Sequence, residues 1–140
     1  MSALSTADRL AVHELLARSG WAYDEARLDV MQACFTDDAQ MSVRIAGGDV
    51  IGPHVGREAV LALIRNSLDS QSDQRRHVIS NVFFESESAD SALVISTLTL
   101  LATAQGQTVL LSAGTYRDAV VRTSEGWRFR ERFLSLDKGY

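Results

Sequence analysis

Tyr23 and Asp24 stand side by side near the end of the first amphipathic stretch, and His77 opens the first long β-prone run of the C-terminal half. A carboxylate, an imidazole and a phenol brought together form a general acid–base set that needs neither metal nor cofactor. An unperturbed imidazole titrates at ~6.5, close to where a base must work at neutral pH. A carboxylate on its other ring nitrogen would fix the tautomer and support the imidazolium. Proton abstraction alpha to a carbonyl is the chemistry such a set would do. The plainer reading makes His77 a strand histidine beside Arg75-Arg76, Asp24 a helix-end carboxylate facing water and Tyr23 a core aromatic.

The elements that must bring these residues together are legible as patterns. Ser5 is a good N-cap for a helix from about Thr6, with Asp8 in its first turn where the dipole favours negative charge. Leu10, Val12, Leu15, Leu16, Trp21 and Tyr23 follow at helical spacing, and Gly20 marks close packing against another element. A second short helix is expected over Leu28–Phe35, stopped by Thr36-Asp37-Asp38. Ala39–Ala46 alternates as a half-buried strand, Pro53 and His54 fall in a loop, and a third helix begins near Arg57. Four β-rich runs then cover about 76–86, 91–104, 107–122 and 127–136, with short polar separators suited to hairpins. Helices followed by long antiparallel strands predict a single α+β domain over residues 1–140, its helices on one face of a curved sheet.

In the last run Arg128, Arg130 and Arg132 alternate with Trp127, Phe129, Glu131 and Phe133. Strict period two would put the arginines on a solvated or subunit-contact face and Glu131 among the aromatics, where a buried carboxylate needs a partner. A bulge would switch the side of Arg132. Tyr116 shares a face with Ser112, Gly114 and Asp118 and is a candidate pocket residue. Trp21 is a candidate substrate contact, although packing accounts for it better.

The chain has 140 residues, 46% hydrophobic and 23% charged, with a formal net charge of −4. That acidic balance argues against nucleic-acid binding, which needs a basic surface. The single cysteine, Cys34, is a core candidate. No histidine pair is spaced for metal and no glycine loop precedes a lysine-bearing helix, so no metal, nucleotide or other cofactor is expected. The start lacks the signature of a secretory signal and no apolar run reaches the ~20 residues of a membrane helix; a cytoplasmic protein is expected.

Several short patterns then fall in order: Tyr23-Asp24, Met31 to Ala39, Gly56-Arg57-Glu58-Ala59, His77 to Val82, Gly114 to Asp118, and Gly126 to Phe129 with Glu131-Arg132 and Asp137. Together they resemble the SnoaL-like proteins of the nuclear transport factor two-like superfamily, which include scytalone dehydratase and the small subunits of ring-hydroxylating dioxygenases. The resemblance implies a cone, a strongly curved and mostly antiparallel sheet around a central pocket covered by the N-terminal helices. It implies that Asp24 pairs with His77, that Tyr23 hydrogen-bonds a substrate carbonyl and that a basic residue near Arg132 contributes. Scytalone dehydratase has a second histidine on the next strand, where this chain carries Ser96, Thr97 and Thr99.

Three functions stay open at this point. The first is a cofactor-independent, dehydratase-like lyase or isomerase acting on a small, largely apolar cyclic or polyketide-like substrate. The second is a non-catalytic small subunit of a ring-hydroxylating dioxygenase, which the patterns Ala26 to Asp29 and Arg130 to Phe133 also resemble. The third is a small-molecule binding protein. A sheet face left bare of helices predicts a homodimer or homotrimer built through the sheet.

Overall fold

The computed structural model describes residues 4–140. Ser5 caps helix α1 (Thr6–Asp24) through a reciprocal capping box with Asp8. Such a cap contributes about 1 kcal/mol. The buried face of α1 carries Val12, Leu15, Leu16, Ser19 and Ala22, whereas Leu10 and Trp21, expected in the apolar stripe, are exposed. Helix α2 (Leu28–Gln32) stops three residues before the expected end, and Phe35 opens strand β1 (Phe35–Ile45) instead. Tertiary packing overrides local pattern here. Phe129 N donates to Cys34 O at 2.8 Å and the Phe35 and Phe129 rings meet at 5.4 Å, which draws 35–38 into the sheet.

Strand β2 (Ile51–Val55) contains Pro53 and His54, which therefore lie on a strand and not in a loop. It is the sheet's edge, where a missing N–H is tolerated. Helix α3 (Arg57–Asp69) buries Val60, Leu61 and Ile64. The chain then runs through β3 (Gln74–Glu87), β4 (Ser91–Ala104), β5 (Gln107–Thr123) and β6 (Gly126–Leu136), close to the expected bounds.

These strands form one six-stranded sheet in the order β2-β1-β6-β5-β4-β3, antiparallel except where β1 lies parallel to β6. The ladder shifts register within β3–β4, β4–β5 and β5–β6. Extra residues bend the bulged strand and increase its twist, and several such bends curl the sheet around the helices. The main core lies between α1, α3 and the concave face, centred on Val12, Leu16, Val60, Val94, Val120 and Phe129. Each such side chain contributes roughly 1.5–3 kcal/mol on burial. A smaller cluster of Leu98, Leu100, Tyr116 and Leu136 backs the other end of the concave face. Among the described residues no helix is long and apolar enough to cross a membrane.

Candidate active site

Helix α1 and strand β3 are tied together at the helix's last turn. Gln74 Nε2 donates to Asp24 O at 2.9 Å, and Arg76 pairs with Glu25. Asp24 then accepts twice from one residue: His77 N–H at 2.9 Å on Oδ2 and His77 Nδ1 at 2.6 Å on Oδ1. The two side chains are only 10% and 6% exposed, for His77 and Asp24 respectively. An ionised carboxylate only accepts, so Nδ1 carries the proton and the lone pair of the neutral ring lies on Nε2. Nε2 has no hydrogen-bond partner among the described residues, and His77 lines a cavity.

That cavity measures about 320 Å³ and lies between the helices and the concave sheet face. Its wall is mostly apolar, with Met31, Phe35, Met41, Leu63, Leu134 and Leu136, interrupted by hydroxyl groups, His77 and Arg132. This is the composition of a small-molecule site, where scattered polar groups orient an apolar ligand.

Tyr23 also lines the cavity, its ring 4.6 Å from the His77 ring. Its hydroxyl is held at 2.5 Å by Ser67 Oγ on α3 and at 3.1 Å by Gln71 Oε1 just beyond that helix. Burial raises its pKa, and the Ser67 hydrogen bond opposes the rise. Arg132 faces inward. Arg130 is an extra residue on β6, since Ala119 pairs with Glu131 while the next residue, Val120, pairs with Phe129. This bulge reverses the alternation beyond it. Arg132 is thereby buried and Glu131, expected among the aromatics, lies exposed on the outer face, away from the cavity. Glu131 needs no buried partner because it is not buried.

Arg132 sits directly across from Asp118 on β5, and the two make a bidentate pair at 2.8 and 3.1 Å with both side chains buried. Its third contact is Ser19 Oγ on α1 at 3.3 Å. Burial opposes the Arg132 charge, but Asp118 and Tyr116 more than offset this and hold it protonated. The guanidinium is sandwiched at 4.0 Å from both the Tyr116 and Phe129 rings. Tyr116 is buried and lines the cavity.

Trp21, a candidate contact by sequence, is not a cavity residue. It is 48% exposed on the far side of α1, with Arg27 stacked at 5.7 Å. Sequence reasoning did not single out Ser19, Ser67 or Met41 as cavity residues; the inward spacing of Ser19 from Leu15 and Leu16 was the available signal. Among the described residues no group of three or more His, Cys, Asp or Glu could hold a metal ion.

A family model described as SnoaL-like domain matches residues 5–133. The uncharacterized protein Rv2910c of Mycobacterium tuberculosis is 28% identical over 134 residues, 94% of this chain and 87% of that protein. Two solved structures from Novosphingobium aromaticivorans share the fold. One, a candidate scytalone dehydratase, has a TM-score of 0.75 at 21% identity, covering 93% of this chain and 84% of its own. The other is the β subunit of a candidate aromatic-ring-hydroxylating dioxygenase, with a TM-score of 0.78 at 19% identity, covering 93% and 89%. At these identities the two likenesses concern the fold alone.

Proposed function

We propose, for a chain that belongs to the SnoaL-like domain family, that it is a cofactor-independent lyase or isomerase of dehydratase type. The observation that carries the reading is the His77–Asp24 contact at the wall of a mostly apolar cavity, with Nε2 unpartnered among the described residues. His77 is the base and Asp24 its orienter. Nε2 takes a proton from carbon alpha to a carbonyl, the C–H electron pair becomes a C=C bond, and charge moves to the carbonyl oxygen. In a dehydration the β-hydroxyl then leaves with its bonding pair and receives the proton from the imidazolium, so that water is lost with no oxidant or reductant.

Asp24 sits at the C-terminal end of α1, against the helix dipole. That placement favours a positively charged partner, which supports the imidazolium as it forms. Arg132, its charge paired with Asp118, adds a guanidinium to the cavity wall. The apolar wall suits a small, largely apolar cyclic or polyketide-like substrate. The test is turnover on a panel of cyclic hydroxy-ketones. His77→Ala should lower the rate 10²–10⁴-fold with the fold intact, the usual cost of losing a general base. A variant lacking both His77 and Asp24 that kept wild-type turnover would sink the proposal.

A second reading draws on the outer sheet face, where Leu93, Ile95 and Phe133 are half-buried and none of the described helices covers them. Such a face suits a subunit contact. Its occupant is either a further copy, giving a homodimer or homotrimer, or the large subunit of an oxygenase, for which the chain would serve as scaffold. Light scattering on the purified protein separates these: a multiple of the chain mass supports self-assembly, and a lone chain that gains mass only with an oxygenase subunit supports the scaffold.

A further inference from the structure

The cavity holds two phenols besides Tyr23: Tyr140, which is 58% exposed with Arg75 stacked on it at 4.9 Å, and the buried Tyr116. Tyr116 is 5% exposed, lines the same cavity as His77, and stacks on the Arg132 guanidinium at 4.0 Å. Its hydroxyl has no hydrogen-bond partner among the described residues, nor is it one of the polar atoms sealed from solvent without a partner, which are Arg44 Nε and Ser96 Oγ. The oxygen therefore opens on the cavity. The Tyr23 hydroxyl, by contrast, has Gln71 Oε1 to receive its one proton and Ser67 as a second partner.

We propose that Tyr116 presents the hydroxyl that binds the substrate oxygen, with His77 Nε2 as the second polar contact, so that the cavity takes an apolar ring system bearing one carbonyl. The inference rests on the acid–base reading of His77 and adds the group that faces the other end of the reacting unit. Tyr116 and His77 stand on β5 and β3, with β4 between them, so they approach a ligand from two sides of the concave face. Burial pushes the Tyr116 phenol up to about 12, against the opposing pull of Arg132, so it remains a donor at neutral pH. Stacking on Arg132 fixes the ring, and the guanidinium charge lies beside the point where the carbonyl oxygen gains negative charge. Donors already aimed at such a point lower the barrier most. The proton stays on Tyr116 while the hydrogen bond to the developing enolate strengthens.

The probes are 2-tetralone, a cyclic ketone with an acidic C–H, and tetralin, the same skeleton without the oxygen. Titrations of the full chain should show the ketone preferred by roughly 5- to 10-fold, the scale of one neutral hydrogen bond. Tyr116→Phe keeps the ring on Arg132 and should abolish that preference while leaving tetralin affinity and the melting temperature unchanged. Tyr23→Phe should keep the preference. A preference that survives Tyr116→Phe, or that disappears in Tyr23→Phe instead, overturns the proposal, as does failure of the wild type to bind either compound. Deuterium uptake at the alpha carbon of 2-tetralone reads the base separately. Uptake lost in His77→Ala with the preference kept supports both claims. A Tyr116-dependent preference without any protein-dependent uptake removes the acid–base reading and leaves Tyr116 as the binding residue.

Discussion

Gly20 and His77 meet at the closest approach of α1 to β3: a Cβ placed on Gly20 would lie 3.2 Å from His77 Cβ and 3.3 Å from Ile79 Cδ1. The glycine lowers helix propensity by about 1 kcal/mol relative to alanine, and in exchange lets the helix descend far enough for Asp24 to reach the imidazole. Its absent side chain thus bears on how closely Asp24 approaches His77.

Gly20→Val should therefore destabilise the fold by about 1–3 kcal/mol, the usual cost of overpacking, because His77 Cβ belongs to a strand that cannot yield. The same variant should weaken the downfield Nδ1–H resonance of His77 that marks the bond to Asp24. Urea unfolding and proton NMR at neutral pH check the two effects. An unchanged resonance in a destabilised variant would show that the dyad does not depend on this contact.

The helix–strand meeting point was visible in the sequence as a glycine inside an otherwise apolar helix, and the Asp24–His77 partnership as two residues in a resembling order. The four C-terminal strands were equally plain, since alternation and short polar separators are local signals. What local pattern did not reveal were the effects of register. Phe35 reads as the end of a helical stripe, and only Phe129 across the sheet makes it a strand residue. Glu131 and Arg132 exchange sides because Arg130 is unpaired, and an unpaired residue leaves no mark in composition or periodicity. Trp21 follows the same logic, for an aromatic at helical spacing says nothing of how wide the buried face is.

The buried Arg132–Asp118 pair gives a second prediction. Arg132→Met leaves a carboxylate in the core without its cation and should cost about 3–5 kcal/mol. Arg132→Met combined with Asp118→Leu should recover most of that loss, since an apolar pair needs no compensation. Burial already raises the Asp118 carboxyl above its usual 3.8, with Arg132 pulling it back, and removing Arg132 lets it rise further. A group raised in the folded state contributes stability below its unfolded pKa and loses it as pH rises. The deficit of Arg132→Met should thus be smaller near pH 4 than at pH 7 in urea unfolding followed at both values. A deficit independent of pH would mean that lost packing, and not the stranded charge, is responsible.

Acid stability is assigned to another carboxylate. Asp8 accepts from Arg122 at 2.9 Å, from Trp127 Nε1 at 3.2 Å and from the Ser5 cap, which fastens the start of α1 to the β5–β6 hairpin. Arg122 chiefly, then Trp127 and Ser5, hold its carboxyl well below the usual carboxylate range. A depressed pKa contributes stability above the unfolded value of about 3.8 that is lost as pH falls through the folded one. Asp8→Asn should accordingly be less stable than wild type at pH 6, with the difference shrinking below pH 3. Thermal melts across that range decide; parallel curves for the two proteins would refute the assignment.

The unpaired Arg130 can be regarded as an indexing device. Along β6 the residues before it and after it are counted on opposite parities, so that both Phe129 and Arg132 face the cavity side although three positions apart. Deleting that single residue would leave Phe129, Glu131 and Arg132 in plain alternation, facing in, out and in as they do now, without the bulge. A continuous ladder with Arg130 opposite Ala119 would instead set Glu131 against Asp118, carboxylate beside carboxylate, and turn Arg132 out to water. Which side chain meets the cavity here is thus decided by one skipped pairing in the ladder, and not by the residues that the strand contains.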